Sequence, residues 1–278
     1  PTVLSDVCTS GNNLATCITT LSNKSEPSIV NIYHHDSSLT NVAGDNSYRY
    51  AGASDYVNNY ICLGSEVPGC PDGDLFRIIG LFGNQVKVIR AGSIGDQRWD
   101  TNGSNTWSSS SLNTYLNGEY LTSLGTLAEK IATTTWKVGG GTEANIILSV
   151  PKTAYQYEAG SSASTTTYDA KIGLMYVSDY YYSASPSAWT LVGVSRDPTK
   201  DYSSATSTNW LYLGSTEWTI SRTSDYSSRV FFVESPGYVE NSNFVDNGIY
   251  SVRPSFNLES SVKYVSGSGW EHDPIIIE

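Results

Sequence analysis

The run from Trp210 to Leu258, WLYLGSTEWTISRTSDYSSRVFFVESPGYVENSNFVDNGIYSVRPSFNL, constrains the fold more than any other stretch of the chain. Three of its segments, EWTISR, RVFFV and YSVRPSFNL, are rich in Val, Ile, Phe, Thr and Trp, residues that suit a half-buried pleated surface. The two loops that join them are made almost wholly of Ser, Asp, Asn, Tyr and Gly. The pattern predicts three strands acting as a rigid frame, with loops that present side chains free of packing duties. That points to recognition rather than catalysis.

At 278 residues the chain can bury a sizeable core in one large domain or two modest ones. Twenty tyrosines, with abundant Ser, Asn and Gly, are the palette of binding loops, where Tyr gives contact area at small entropic cost. Extracellular β-proteins carry the same residues for strand and loop reasons alone. The net charge of −11, with 16 basic residues scattered singly, argues against nucleic acid or an anionic membrane as partner. No apolar run is long enough to span a bilayer. The chain opens at Pro1 without a signal peptide, which reads as a trimmed or processed form with any membrane anchor lying before it.

Four cysteines form two close pairs, Cys8 with Cys17 and Cys62 with Cys70, at spacings that fit no zinc motif. Two local disulfides in an exported protein is the preferred reading, although four cysteines allow three connectivities. Residues 1–30 read as a helical lead-in, broken at Gly11-Asn12-Asn13 and stapled by Cys8–Cys17. Residues 31–60 read as a long loop with short extended pieces. Within it His34-His35-Asp36 invites a metal reading, but adjacent strand side chains face opposite ways, so a surface loop is preferred.

LFRIIGLFGNQVKVIR, residues 75–90, is a hairpin with Gly-Asn at its turn, and CLGSEVPGC forms a closed loop just before it. Ser110 and Ser111 cap a short helix over SLNTYLNGEYL. LGTLAEKIA reads as a second short helix and TTTWKV as a strand. Gly139-Gly140-Gly141 lacks the phosphate-loop pattern and reads as a flexible turn. A Ser/Thr-rich connector at 160–167 leads into AKIGLMYVSDYYYSAS, read as a central strand whose Tyr180-Tyr181-Tyr182 is exposed or a core corner. Short strands, few helices and frequent turns make the class α+β with β dominating.

Catalytic signatures are missing. No GxSxG elbow, EF-hand loop or nucleotide-binding motif occurs. His272, in GWEHDP, is best read as part of a Trp-anchored turn. Paired carboxylates of the glycosidase kind come from distant positions, and none of the 27 acids stands out. The expectation is a protein that is not an enzyme and carries no cofactor and no metal.

TEWTISR, RVFFV and YSVRPSFNLESSV together resemble the closing strands of a C-type-lectin-like fold. The version is that of formylglycine-generating-enzyme relatives and of variable proteins from diversity-generating retroelements. Over residues 34 onward, the chain is similar to exported surface proteins of Gram-positive gut bacteria. The shared elements include HHDSSLTNVAGDNSYRYAG, NNYICLGSEVPGCPDGDLFRIIGLFGNQVKVIR, KIATTTWKVGG, AKIGLMYVSDYYYSASPSAW and YLGSTEWTISR. The resemblance implies framework roles for Trp218, Val252, Arg253, Pro254, Phe256 and Leu258.

It also implies a ligand face in the loops between such strands, with Asn codons giving Ser, Asp and Tyr by single-base changes. Asp225, Tyr226, Ser227, Ser228, Asn241, Ser242, Asn243, Asp246, Asn247 and Tyr250 fit that pattern. With Tyr212, Ser215, Thr216 and Tyr238 added, and Ser227 and Ser242 set aside, they make the candidate ligand-binding set, anchored by Tyr212, Tyr226, Tyr238 and Tyr250. The EPN or QPD triplets and WND-like ligands of calcium-dependent lectins are missing, which counts against calcium. The cysteines of formylglycine-generating chemistry have no counterpart, because all four precede the lectin-like core.

These readings converge on one domain over 31–278 behind the lead-in, with its ligand-presenting part at about 205–260. The expected protein is a cell-surface or secreted receptor or adhesin with a protein or glycan ligand. The alternatives are a pilin-like or surface-layer subunit and, behind it, a glycan hydrolase.

Overall fold

The structure, a computed structural model, describes residues 1–64 and 69–278. The interior of the CLGSEVPGC loop, residues 65–68, lies outside the described residues. The hairpin expected at 75–90 stands at the centre of the larger sheet. Strands Leu75–Phe82 and Gln85–Arg90 pair antiparallel, with Phe82 facing Gln85 across Gly83 and Asn84. Residues 76–81 and 86–89 are all buried, as expected of strands covered on both faces.

Outward from the hairpin, one side adds Tyr60–Cys62, Ile275–Ile277 and Tyr264–Ser266, and the other adds Ser255–Asn257 and Ile172–Gly173. The small hairpin of Ile32–His34 and Tyr48–Tyr50 docks on the far end of Leu75–Phe82. Gly80 permits that docking, because a Cβ there would fall 2.3 Å from the Tyr48 carbonyl oxygen. The second sheet runs Val239–Glu240, Val230–Val233, Glu217–Arg222, Tyr250–Ser251, Asp96–Gln97. Thr134–Lys137 and Thr167–Ala170 form a separate two-stranded ladder.

The class is therefore α+β and strand-rich, with more helical turns than the sequence suggested. The helix Leu14–Lys24 begins where Asn13 accepts the Thr16 amide at 3.2 Å. It buries Leu14, Cys17, Ile18 and Leu21, the i, i+3, i+4, i+7 face of an amphipathic helix. Full burial contributes about 1.5–3 kcal/mol for each of Leu14, Ile18 and Leu21. Cys8 bonds to Cys17 and Cys62 to Cys70. The same hydrophobic core takes in Leu4, Leu14 and Ile18 of the lead-in together with both sheets. Among the described residues, no helix is long and apolar enough to cross a membrane.

Four readings change. YSVRPSFNL is not one strand. Tyr250–Ser251 joins the second sheet and Ser255–Asn257 the first. Pro254 has no N–H to offer a ladder, and Arg253 turns inward to grip Glu217 through Nε and Nη2 at 2.7 and 2.8 Å.

AKIGLMYVSDYYYSAS is not one strand: Ala170 closes Thr167–Ala170, Ile172–Gly173 is a two-residue strand of the larger sheet, and Val177–Tyr182 is a helix. Its three tyrosines are fully buried and donate to the carbonyls of Gly237, Ile146 and Asn41 at 2.7, 2.9 and 3.1 Å. His35 is not on a surface loop but buried against Tyr182 and Trp189, while His34 faces outward, stacked on Tyr48. Gly139-Gly140-Gly141 is a close-packed crossing. Gly140 has φ +65°, and a Cβ there would lie 1.8 Å from the Arg222 carbonyl oxygen.

Candidate functional site

The frame of the candidate face is Glu217–Arg222 paired with Val230–Val233, with Trp218 opposite Phe232. Two indoles fasten a third segment, 96–106, to it: Trp99 Nε1 donates to the Thr219 carbonyl at 3.0 Å and Trp218 Nε1 to that of Gln97 at 2.8 Å. The third segment holds the two expected loops in place. The Asn105 amide donates to the carbonyls of Thr223, Tyr226 and Arg229 at 2.9, 2.7 and 2.8 Å. Its backbone N–H donates to Ser227 at 2.8 Å. Val245 donates to Ser228, Asp100 donates to Val245, and Arg98 Nε donates to Asp246 at 2.8 Å. Asp100 in turn accepts from the amides of Asn102, Ser104 and Ser111 at 3.0–3.1 Å.

On this support the loops present Tyr226, Phe244 and Ile249, which are 47%, 44% and 52% exposed. The Arg229 guanidinium lies over the Tyr226 ring at 4.5 Å and the Phe244 ring at 5.2 Å, joining the two loops through a shared cation. Each such contact is worth about 0.5–1 kcal/mol at an exposed site. Arg229 thereby brings two partly exposed aromatic side chains together on ordered loops.

The twelve candidate residues do not form one patch. Asp225, Tyr226, Ser228, Asp246 and Asn247 gather at the Arg222 end of the frame, with Asp225 also accepting the Glu143 amide at 2.9 Å. Tyr212, Ser215, Thr216 and Tyr238 lie at the Glu217 end, about 17 Å away for a strand of this length. There Tyr212 donates to the Ser235 carbonyl, Thr216 to Glu234 at 3.0 Å, and Ser215 pairs with Ser251 at 3.1 Å. Burial and the carboxylates of Glu234 and Glu240 push the Tyr238 hydroxyl up from its ordinary value.

Tyr250 is half-buried, its ring packed at a tilt against Trp218 at 4.4 Å and Phe232 at 5.0 Å, with its hydroxyl bonded to Asn243. Asn241 is 4% exposed and lies beneath the surface. Sequence reasoning missed the 98–106 loop, although DTNGSN carries turn-forming Asp, Asn, Gly and Ser. It also missed Arg229, Phe244 and Ile249, apolar or basic residues in loops expected to act through polar side chains.

Among the described residues no group of three or more His, Cys, Asp or Glu side chains is placed to hold a metal ion. All four cysteines are in disulfides, so the chain has no free thiol. No curated protein and no solved structure matches the chain. A family model, Domain of unknown function (DUF6273), matches residues 83–260, a span that holds all five strands of the second sheet and every loop of the face. The chain belongs to that family.

Proposed function

We propose that this protein is a non-catalytic, extracellular ligand-binding protein of the receptor or adhesin type, which captures a protein ligand on the Tyr226–Arg229–Phe244 face. The observation that carries this reading is the exposed aromatic pair bridged by Arg229 on loops held through their carbonyls. Aromatic residues and Arg dominate the energetic centres of protein interfaces. Two disulfides suit an oxidising compartment. The burial of Trp218, Val252, Arg253, Pro254, Phe256 and Leu258 supports a C-type-lectin-like scaffold as the frame. Retroelement diversification of the loops belongs to the same reading. It requires sibling copies of this locus to differ at adenine-bearing codons within 210–250 and to agree elsewhere.

The test is binding of the fluorescently labelled chain to intact epithelial and bacterial cells, before and after protease treatment of the cells. Saturable, protease-sensitive binding is expected, and the double variant Y226A/F244A should weaken it at least tenfold. Both side chains are exposed, so the melting temperature should stay within about 2 °C of wild type. Undiminished binding by the double variant, or binding lost only together with the fold, would sink this assignment.

A further inference from the structure

A cavity of about 200 Å³ opens at a different place, between the central hairpin, the strand Thr134–Lys137 and the helices Pro151–Glu158 and Val177–Tyr182. Lys87, in the middle of Gln85–Arg90, is 4% exposed and turned into it. Its ammonium donates to Asp179 Oδ2 at 2.5 Å and lies 4.6 Å from the Tyr176 ring and 5.4 Å from that of Trp136. Arg49, 2% exposed, spends Nε on Ser47 at 2.9 Å and Nη2 on Asp45 at 2.7 Å. Its Nη1 makes no hydrogen bond among the described residues and stands 3.8 Å from Asp179 Oδ1. Asn257 donates its amide to Thr134 at 2.9 Å, while its buried Oδ1 accepts nothing among the described residues.

The charged residues that line the cavity are Arg49, Lys87, Asp45 and Asp179, two cations and two anions already paired. An ionic or zwitterionic ligand would have to break those pairs. What remains unspent is a mixture of donors, on Lys87 and on Arg49 Nη1, and an acceptor, Asn257 Oδ1. These stand beside the aromatic rings of Trp136, Tyr155 and Tyr176. A hydroxyl group is both donor and acceptor, so a polyhydroxylated neutral molecule uses both kinds of group without disturbing the ion pairs. Its C–H faces can lie on the rings.

The volume corresponds to about seven waters at roughly 30 Å³ each, smaller than a drug-sized pocket and suited to one sugar ring. Thr135, exposed, stands at the rim. A purely stabilising role explains the cluster poorly, because buried ion pairs seldom outperform apolar packing.

We propose that this cavity binds a single neutral sugar residue without calcium, held by Lys87, Arg49 and Asn257 over the aromatic wall. The site is separate from the Tyr226 face, so the two readings stand or fall independently.

The test is calorimetric titration of the full chain, in EDTA, with methyl glycosides of glucose, galactose, mannose, N-acetylglucosamine and fucose, and with glycine and alanine as zwitterions. At least one glycoside should bind saturably at millimolar or tighter concentrations. Binding should fall at least tenfold in N257A and in A159F, which puts a ring where Ala159 lines the cavity. It should be unchanged in Y226A/F244A.

Saturation-transfer NMR on the wild-type chain should show the bound sugar receiving magnetisation from aromatic protons, a readout that needs no variant. Failure of every glycoside to bind overturns the proposal. So does binding of an amino acid instead, or retention of sugar binding by a folded A159F.

Discussion

His35 shows how far one side chain can depart from what its neighbours in the chain suggest. His34-His35-Asp36 is polar and read as surface, yet His35 packs on Tyr182 and Trp189, its Nδ1 accepting the Ala43 amide at 3.1 Å. Its Nε2 is buried without a partner among the described residues. Burial, then the Arg49 charge, hold its pKa well below the ordinary value; Asp45 and Asp36 oppose the shift and His34 adds to it. Below pH 6.5 the unfolded chain takes up a proton at this position and the folded chain does not. The contribution is therefore complete above about pH 6.5 and is lost as pH falls, by up to about 1.4 kcal/mol per pH unit.

Urea denaturation at pH 7.5, 6 and 5 should show that slope, and H35Q, which keeps an acceptor for Ala43, should flatten it. Nothing near residue 35 in the sequence could reveal this, because the ring's neighbours come from positions 182 and 189. Asn105 was hidden for the same reason: its three carbonyl partners lie at 223, 226 and 229.

At the scale of elements, the legible pieces are those whose cause is local. The 75–90 hairpin carries its turn chemistry in Gly83-Asn84, and the helices after Asn13 and Ser110 carry their caps. EWTISR and RVFFV are strands as their composition suggests. The helix Val177–Tyr182 was not legible. A segment as short as Val-Ser-Asp-Tyr-Tyr-Tyr has too few residues for a period to separate helix from strand, and part of what makes it a helix comes from elsewhere.

Glu158 accepts the amides of Val177 at 2.8 Å and Ser178 at 2.9 Å, while Asp179 accepts that of Tyr176 at 2.8 Å. Burial pushes the Glu158 carboxyl up, against the pull of those donors and of Ser221. E158A should therefore cost about 2–3 kcal/mol through unsatisfied amides at the helix start. The urea midpoint would measure the loss, and near-UV circular dichroism would report the three buried tyrosines.

For the whole molecule, the class and the disulfides could be read from the sequence, but not the division into two sheets. That division turns on Val252-Arg253-Pro254, where the chain passes from one sheet to the other and Arg253 meets Glu217, 36 positions back. The helical lead-in over 1–30 shares its core with the rest of the chain: Leu14 donates its amide to the Val262 carbonyl, and Tyr264 donates to Asn12. Calorimetry should then show one transition with equal calorimetric and van't Hoff enthalpies. C8S/C17S should lower its midpoint by the loss of about 2–3 kcal/mol. A separate early transition for the helical segment would contradict a shared core.

The Asn105 clasp has a consequence for mutational tolerance. It grips the 223–229 loop by carbonyl oxygens, and Val245 and Asp100 tie the neighbouring loop through backbone groups alone. A carbonyl is the same whatever residue bears it. Side chains at 224, 226, 227, 242, 246, 247 and 249 can therefore be exchanged wholesale while the contour that presents them stays put. Such a surface can be rewritten at single positions without the frame having to be re-evolved, and drift there is decoupled from the stability of the body beneath.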